Sequence, residues 1–402
     1  MKKLKTIVRQ DEFVKSIIEF FDEIPDPRLD RKKKHPLTAI LACAFCAVIA
    51  DCNTWIDVEL FCREREDWFR SYVDLPNGIP SHDTFGRVFS ILNPVEMEKC
   101  LIEWAKTVRA RLASEVEEKS PAIINLDGKR LRGSADKVHK KNGVHILNAW
   151  LVDSGLCIGQ IEAEEKENEI TVAPELMKLL DLGGTVVTGD ALLTQKGLAQ
   201  QVRESGGEYF FALKGNHEIM HKEVQDFFEQ IIRQVEDKAI KNEAFYQPIK
   251  FDVSETIEKN GGRIETRRYW TSSDIEWFQG RREWEGLKSF IMIESTREIE
   301  GEKKVEKRYC LTSLSGDAKT LGIISRKHWS IENSLHYVLD VIFKEDECRV
   351  RLKKAARNLS ALRKLALNVV SRIPGDKASK RARRKKACWS TKYLEKCLLA
   401  AA

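Results

Sequence analysis

The sequence predicts an α/β protein: a mixed sheet flanked by helices, preceded by an all-α segment and interrupted by a β-rich insertion. Three observations lead there. Residues 11 to about 118 carry apolar side chains at helical spacing. From Pro121 onward, short apolar runs alternate with amphipathic helical stretches, a texture that mixes antiparallel and parallel pairing. Between about 245 and 315 that rhythm gives way to two strand pairs around glycine turns. The predicted segments are 1–118 (helical, with a candidate DNA-binding role), 119–240 (first part of the α/β core), 241–318 (insertion) and 319–402 (core helices and a basic C-terminal tail).

In the first segment Phe13, Ile17, Phe20, Phe21 and Ile24 recur behind Asp11, until Pro25-Asp26-Pro27 stops the run. A basic loop, Arg28–His35, leads past Pro36 into the apolar run Leu37–Ile49, which is too short to span a bilayer and reads as a core helix. Helix Ser81–Leu92 is broken by Asn93-Pro94, and a longer helix runs from Val95 towards Glu118. Helix, break and helix fit a DNA-reading helix-turn-helix. They also fit a plain helical hairpin, which the weakly basic start of the second helix favours.

The strand Ala122–Leu126 ends in Asp127-Gly128-Lys129. Strands Val144–Val152 and Leu156–Glu162 flank the hairpin signal Asp153-Ser154-Gly155. Helix Ile170–Leu182 precedes strand Thr185–Gly189 and Asp190. Helix Thr194–Glu204, strand Glu208–Leu213 and a helix from His217 to about Glu236 follow. In the insertion, Phe251–Ile257 pairs with Arg263–Trp270, and Ser289–Glu294 with Val305–Leu314. A helix resumes near Leu321, with Ile331, Leu335, Val338 and Ile342 as its buried stripe and Glu332 beside it. The final long helix, from about Asp346 to Arg372, turns Leu352, Ala355, Leu359, Leu362, Ala366 and Val369 to one face. Arg349, Lys353, Arg357 and Lys364 lie mainly on the other.

At 402 residues, 42% of them hydrophobic, the chain can bury a core in two or three domains. The net charge of +6 is unevenly spread. From Arg349 to Trp389 there are 15 Lys/Arg against the single acid Asp376, or +14, so the remainder carries −8 (6 − 14). That asymmetry predicts a polyanionic partner, nucleic acid foremost. The ten cysteines follow no framework spacing, and the lone Cys43-x-x-Cys46 falls in an apolar helix. Reduced thiols in a cytoplasmic protein are expected, with no signal peptide and no membrane partner.

Asp127 and Asp190 each close a β-like run, and Glu332 lies far downstream on a helix. A carboxylate at the C-terminal end of a buried strand is costly unless a cation or base meets it, and ligands bind at that end of α/β sheets. Acids converging from two strands and a helix make an oxygen-rich cage for two Mg²⁺ ions, with Mn²⁺ as a substitute, and hence for phosphoryl transfer. Asp127 would bridge both ions. Lys129, Arg132 and Lys214, close behind strand ends, would hold phosphates, as would Arg349, Arg351, Lys353, Arg357, Arg381, Arg383 and Arg384 of the basic region. A competing set, His328, Glu332 and His336 at spacings of four, would share one face of an α-helix as a zinc pair plus acid. Trp329 reads as core more than as a DNA contact, and Asn333 as an accessory neighbour of Glu332.

Family text supports the metal reading. Ile24-Pro25-Asp26-x-Arg28 and Gly78-Ile79-Pro80-Ser81-His82-Asp83-Thr84 occur in the helical part. In the core are Leu126-Asp127-Gly128-Lys129-x-Leu131-Arg132, Glu167-Asn168-Glu169-Ile170 and Phe211-Ala212-Leu213-Lys214-Gly215-Asn216. The most specific stretch is His328-Trp329-x-Ile331-Glu332-Asn333-x-Leu335-His336-x-x-Leu339-Asp340-Val341. Over nearly its whole length the chain resembles bacterial insertion-sequence transposases of the DDE class, most closely the H-repeat-associated group. The resemblance implies an RNase H-like catalytic core, Asp127, Asp190 and Glu332 as its metal-binding triad, and strand cleavage and transfer at the ends of a mobile element. It further implies double-stranded DNA as partner and a homodimer on paired ends. A related branch carries Tyr-x-x-Arg-x-x-x-Glu-x-x-x-x-x-x-Lys, but the matching positions here are Ser325, His328, Glu332 and Leu339, so the roles of that Arg and Lys do not transfer. Two alternatives stay open: a catalytically silent DNA-binding descendant, and an RNase H-like nuclease without strand transfer.

Overall fold

The structure is a computed structural model that describes residues 19–113, 121–136, 138–139, 142–163, 168–236 and 248–399. Helices α1 (Leu37–Ile49), α2 (Trp55–Arg63), α3 (Glu66–Arg70), α4 (His82–Ile91) and α5 (Pro94–Ala113) lead into strands β1 (Ala122–Arg130), β2 (His145–Leu151) and β3 (Leu156–Ala163). Then come α6 (Glu169–Lys178), β4 (Thr185–Gly189), α7 (Lys196–Glu204), β5 (Glu208–Leu213) and α8 (Glu218–Glu236). Strands β6 (Asp252–Asn260), β7 (Arg263–Ser272), β8 (Ser289–Ile299) and β9 (Glu302–Thr312) precede α9 (Ala318–His328), α10 (Lys353–Ser371), α11 (Lys380–Trp389) and α12 (Thr391–Leu399). The predicted mixed α/β class with a helical N-terminal region is therefore met. The expected helix over Phe13–Ile24 falls largely outside the described residues.

The chain forms two compact units, each discontinuous in sequence. The first comprises residues 1–119, 128–168 and 332–402; the second comprises 120–127 and 169–331. The chain thus changes unit inside β1, between Asp127 and Gly128, and again between Ile331 and Glu332.

In the first unit, β2 and β3 form an antiparallel hairpin. Helix α1 is apolar all round and buried along nearly its whole length, as a helix without a polar face must be. Thr54 starts α2 with a reciprocal capping box to Asp57, which satisfies two orphan N–H groups. The long helix α10 departs from the amphipathic expectation. Arg363, Lys364, Asn358, Ser360 and Asn368 are all buried alongside its leucines. Each of three polar positions is matched to a neighbour. Asn358 donates to the carbonyls of Phe89 and Leu92 at 2.9 and 3.1 Å. Asn368 bonds both backbone groups of Cys157. Lys364 donates to Gln160 Oε1 and Ser360 Oγ, each at 2.7 Å. Polarity in sequence marks an exposed face only when no partner waits inside.

The basic C-terminal region is likewise folded rather than a tail. Ser379 caps α11 by accepting from Ala382 N–H. Arg384 is 1% exposed. It donates to the carbonyls of Ile342 and Val48, pairs with Asp51 at 2.9 Å and lies over the Phe343 ring at 3.9 Å.

In the second unit β1 pairs parallel with β4, and β4 parallel with β5. Antiparallel pairing then runs β5–β9–β8–β7–β6. The β-rich insertion therefore extends the parallel strands edge to edge instead of folding as a separate sheet. Helix α9 packs on β6, β7 and β8. Its Gly322 is required there, because a Cβ would lie 2.7 Å from the Tyr269 ring.

The buried cation of α11 gives a stability prediction. Replacing Arg384 by Ala strands two buried carbonyls and a carboxylate, so urea denaturation should show a loss of about 3 kcal/mol. A change within about 0.5 kcal/mol would show that Arg384 does not anchor this unit.

Candidate functional site

Parallel pairing in the second unit sets the positions of two acids. Ala122 lies opposite Thr185 and Asn125 opposite Thr188, an offset of 63 (185 − 122 and 188 − 125). The difference 190 − 127 is also 63. Asp127, the sixth residue of β1, and Asp190, the first residue past β4, each lie two residues beyond the last paired rung, Asn125–Thr188. Asp190 Oδ1 accepts the N–H groups of Leu192 and Leu193 at 3.0 and 3.2 Å, which fixes one oxygen through the turn. Burial, with the nearby negative charge of Glu169, raises its carboxyl above the usual carboxylate range. The two N–H groups and the Lys214 ammonium oppose that rise. No lysine or arginine pairs directly with Asp190 among the described residues. A half-buried acid near another acid, with hard oxygen donors and one oxygen already oriented, suits a divalent cation. Glu169, the buried first residue of α6, went unassigned in the sequence reading, although Glu167-Asn168-Glu169-Ile170 contains it.

Two residues before each aspartate, the fully buried Asn125 and Thr188 anchor a hydrogen-bond set. Thr188 Oγ1 donates to Asn125 Oδ1 at 2.7 Å and lies 2.9 Å from His328 Nδ1. The hydroxyl has a single proton, so His328 carries its own on Nδ1 and donates it. Asn125 Nδ2 donates to the carbonyls of Lys327 and His328 at 2.8 and 2.9 Å, and reaches Ser330 Oγ at 3.4 Å. Burial, assisted by the Lys214 charge, pushes His328 down to about 4, so the ring is neutral. These bonds hold the C-terminal end of α9 against β1 and β4, two residues before each aspartate.

The face expected to unite His328, Glu332 and His336 is not an α-helical one. Helix α9 ends at His328, and Glu332–His336 and Val338–Ile342 are π-helical. His328 Nδ1 is committed to Thr188, which leaves Nε2 as the ring's other nitrogen. Trp329 is 45% exposed, not core, and the Arg308 guanidinium lies over its ring at 4.8 Å.

In the first unit, Glu332 opens the final segment, and it and Asn333 are exposed. Of the predicted stripe, Ile331, Leu335 and Val338 are buried as expected, and the π-wound turns bury further apolar positions. Leu335, Leu339 and Phe343, spaced by four, are fully buried, whereas Ile342 is only half-buried. Glu332, His336 and Asp340 form a parallel polar row at the same spacing. His336 Nδ1 lies 3.8 Å from Glu332 Oε2. Burial, reinforced by the Lys129 and Lys364 charges, pushes His336 down to about 3. Lys129, 7% exposed, pairs with Asp340 and lies 3.5 Å from Asp346.

The cations expected to meet phosphate divide by environment. Lys214, Arg132, Arg349, Arg351 and Arg381 are exposed. Lys129 is buried on its acids, and Arg384 is interior, as above. Arg357 is bonded by both oxygens of Glu98 at 2.6 Å and by Glu162 at 3.3 Å. Arg383 donates to the carbonyls of Val370 and Ser371. The side chain of Lys353 lies outside the described residues.

This arrangement agrees with what related sequences indicate. Residues 107–369 match the Transposase DDE domain, and residues 18–105 match the DDE_Tnp_1-associated domain. The chain belongs to the DDE transposase family, and divalent metal use comes with that membership. It is 36% identical to YncI of Escherichia coli O157:H7 over 389 residues, 96% of this chain and 95% of that one. It is 34% identical to the H repeat-associated protein YhhI of Escherichia coli (strain K12) over 391 residues, 96% and 98% of the two chains. The inactive transposase YbfQ of the same strain is 40% identical over 77 residues, 19% of this chain and 92% of that protein. Among solved structures, a piggyBac transposase synaptic complex with hairpin DNA overlaps at a TM-score of 0.37 and 13% identity, covering 96% of this chain and 78% of that one. That overlap is too loose to carry an argument.

The neutral, half-buried His328 predicts acid sensitivity. Its folded pKa lies below the ordinary value near 6.5, so protonation favours the unfolded chain, and stability present above pH 6.5 is lost as pH falls towards 4. Thermal melting across pH 7 to 4.5 should show a shallower decline for His328→Gln than for the wild type. Parallel declines would mean that His328 does not titrate in this way.

Proposed function

We propose that this DDE transposase cleaves DNA strands at the ends of an insertion sequence and joins them to target DNA, with Asp127, Asp190 and Glu332 as its catalytic carboxylates. The observation that carries the reading is the parallel register of β1 and β4, whose last paired rung, Asn125–Thr188, lies two residues before Asp127 within β1 and two before Asp190 just past β4. Glu332 enters by chain continuity: Ser330, two residues earlier, is already bonded to Asn125 of β1. Two residues span at most about 7 Å of chain.

Asp127 and Asp190 would hold one divalent cation, and Asp127 and Glu332 a second, with Mg²⁺ as the physiological ion and Mn²⁺ as a substitute. When bound, such a pair supplies charge to stabilise the attacking and leaving oxygens of an in-line displacement. The rest falls to the chain. Asp190 is oriented before substrate arrives, because two backbone N–H groups fix one of its oxygens. Lys214, exposed at the end of β5, offers its ammonium to a phosphate oxygen beside Asp190. Water attacks phosphorus and the strand's P–O3′ bond breaks, leaving a 3′-hydroxyl. In the transfer step that hydroxyl attacks a target phosphodiester and a target 3′-oxygen leaves. No side-chain nucleophile is required.

Double-stranded DNA is the partner, both as element ends and as target, and Arg132, Arg349, Arg351 and Arg381 are its exposed backbone contacts. A homodimer on paired ends, acting at the bacterial nucleoid in the cytoplasm, completes the reading. None of the described helices is long and apolar enough to cross a membrane.

Asp127→Asn, Asp190→Asn and Glu332→Gln should each keep DNA binding in a gel-shift assay while cutting cleavage of element-end DNA by roughly two orders of magnitude or more. Cleavage at the wild-type rate in any one variant removes that residue from the mechanism. Nicking without joined products when target plasmid is supplied would leave a nuclease. A wild-type protein that binds DNA but does not nick it in Mg²⁺ or Mn²⁺, against an EDTA control, would be the silent descendant.

A further inference from the structure

The polar row of the π-helical segment contains a donor that the carboxylate triad does not use. Residues four apart in a π-wound segment fall roughly 30° short of a full turn, so Glu332, His336 and Asp340 share one side of it. The lower end of the row is already occupied, because Lys129 is paired with Asp340. At the upper end, Glu332 Oε2 faces His336 Nδ1 at 3.8 Å, beyond direct hydrogen bonding. Two donors held at right angles by one ion, each about 2.1 Å from it, stand about 3 Å apart. A modest rotation of the carboxylate closes that difference. The two side chains differ in freedom in the way such a pair requires: the Glu332 side chain is 56% exposed, whereas the imidazole is 9% exposed and held in place by packing.

We propose that His336 is a protein ligand of the Glu332-held metal position, giving it a nitrogen donor beside its carboxylate oxygens. This rests on the metal reading above. It adds a consequence that carboxylates alone would not have. Imidazole suits transition ions, and Mg²⁺ prefers an all-oxygen shell. The Glu332 position therefore takes Mn²⁺ ahead of Mg²⁺, and His336 sets that preference.

The test is pulsed EPR on the full-length protein loaded with Mn²⁺, recorded as electron spin echo modulation. Directly bound imidazole should give ¹⁴N modulation in the wild type, replaced by the ¹⁵N pattern after ¹⁵N-histidine labelling. His336→Gln should abolish it and weaken Mn²⁺ binding about tenfold or more, while Mg²⁺ affinity measured by calorimetry changes less than about twofold. His328→Gln should retain it. Bound Mn²⁺ without nitrogen modulation in the wild type overturns the proposal and leaves the carboxylate reading intact; this measurement needs no variant to fold. Modulation that persists in folded His336→Gln also overturns it. A wild-type protein that binds no Mn²⁺ removes the metal reading itself, and this inference with it.

Discussion

The fully buried Asn125 and Thr188 are joined by hydrogen bonds to each other and to the half-buried His328, and the meeting of β1, β4 and the end of α9 depends on that set. Each bond contributes on the order of 1 kcal/mol net, but a buried polar atom left without its partner costs about 1–3 kcal/mol. The three residues therefore tolerate only one relative arrangement of β1, β4 and α9. That arrangement goes with the parallel register that sets Asn125 opposite Thr188, two residues before Asp127 and Asp190. It also fixes where the chain leaves α9, four residues before Glu332. The proton on His328 Nδ1 is part of the constraint, since Thr188 has only one hydrogen to give.

The first unit shows the same economy with charge. Its long helix α10 carries lysine, arginine and asparagine into the interior, where acids, amides and carbonyls receive them. Arg384 on α11 bonds two carbonyls, pairs with Asp51 and covers an aromatic ring. A strongly basic C-terminal region thus has two kinds of cation. Some are structural and have exchanged water for fixed partners; others, such as Arg349, Arg351 and Arg381, remain in solvent where a phosphate backbone can reach them. Net charge draws nucleic acid to the surface, but only the second kind can touch it.

The π winding from Glu332 to Ile342 links fold to chemistry in another way. Leu339 and Phe343 are buried alongside the expected Ile331, Leu335 and Val338, and Glu332, His336 and Asp340 share another side of the segment. Such winding is rarely stable by itself and is found mostly at functional sites. Here the apolar row is fully buried and the Lys129–Asp340 pair closes the polar row at one end. Packing and charge thereby hold a backbone geometry that isolated propensity would not select.

Local pattern was enough to read much of this chain. Strand runs ending in Asp127 and Asp190, the glycine turns of the insertion and the apolar helix Leu37–Ile49 are each encoded within a few residues, so their elements emerged near the predicted positions. The aspartate spacing of 63 was also visible, but its meaning was not, because strand register depends on partners distant in sequence. Lys129, Arg357, Lys364 and Arg384 read as surface cations because a sequence records charge and not the acids or carbonyls waiting across the interior. Trp329 read as core, yet the fold leaves it at the surface against Arg308. Composition and short-range periodicity thus determined the class of fold and the strand runs on which the candidate aspartates lie. Which cations are spent on structure, how the insertion strands join β5 and how the helix around Glu332 is wound were decided by tertiary packing, because burial energies depend on pairs of groups that only the folded chain brings together.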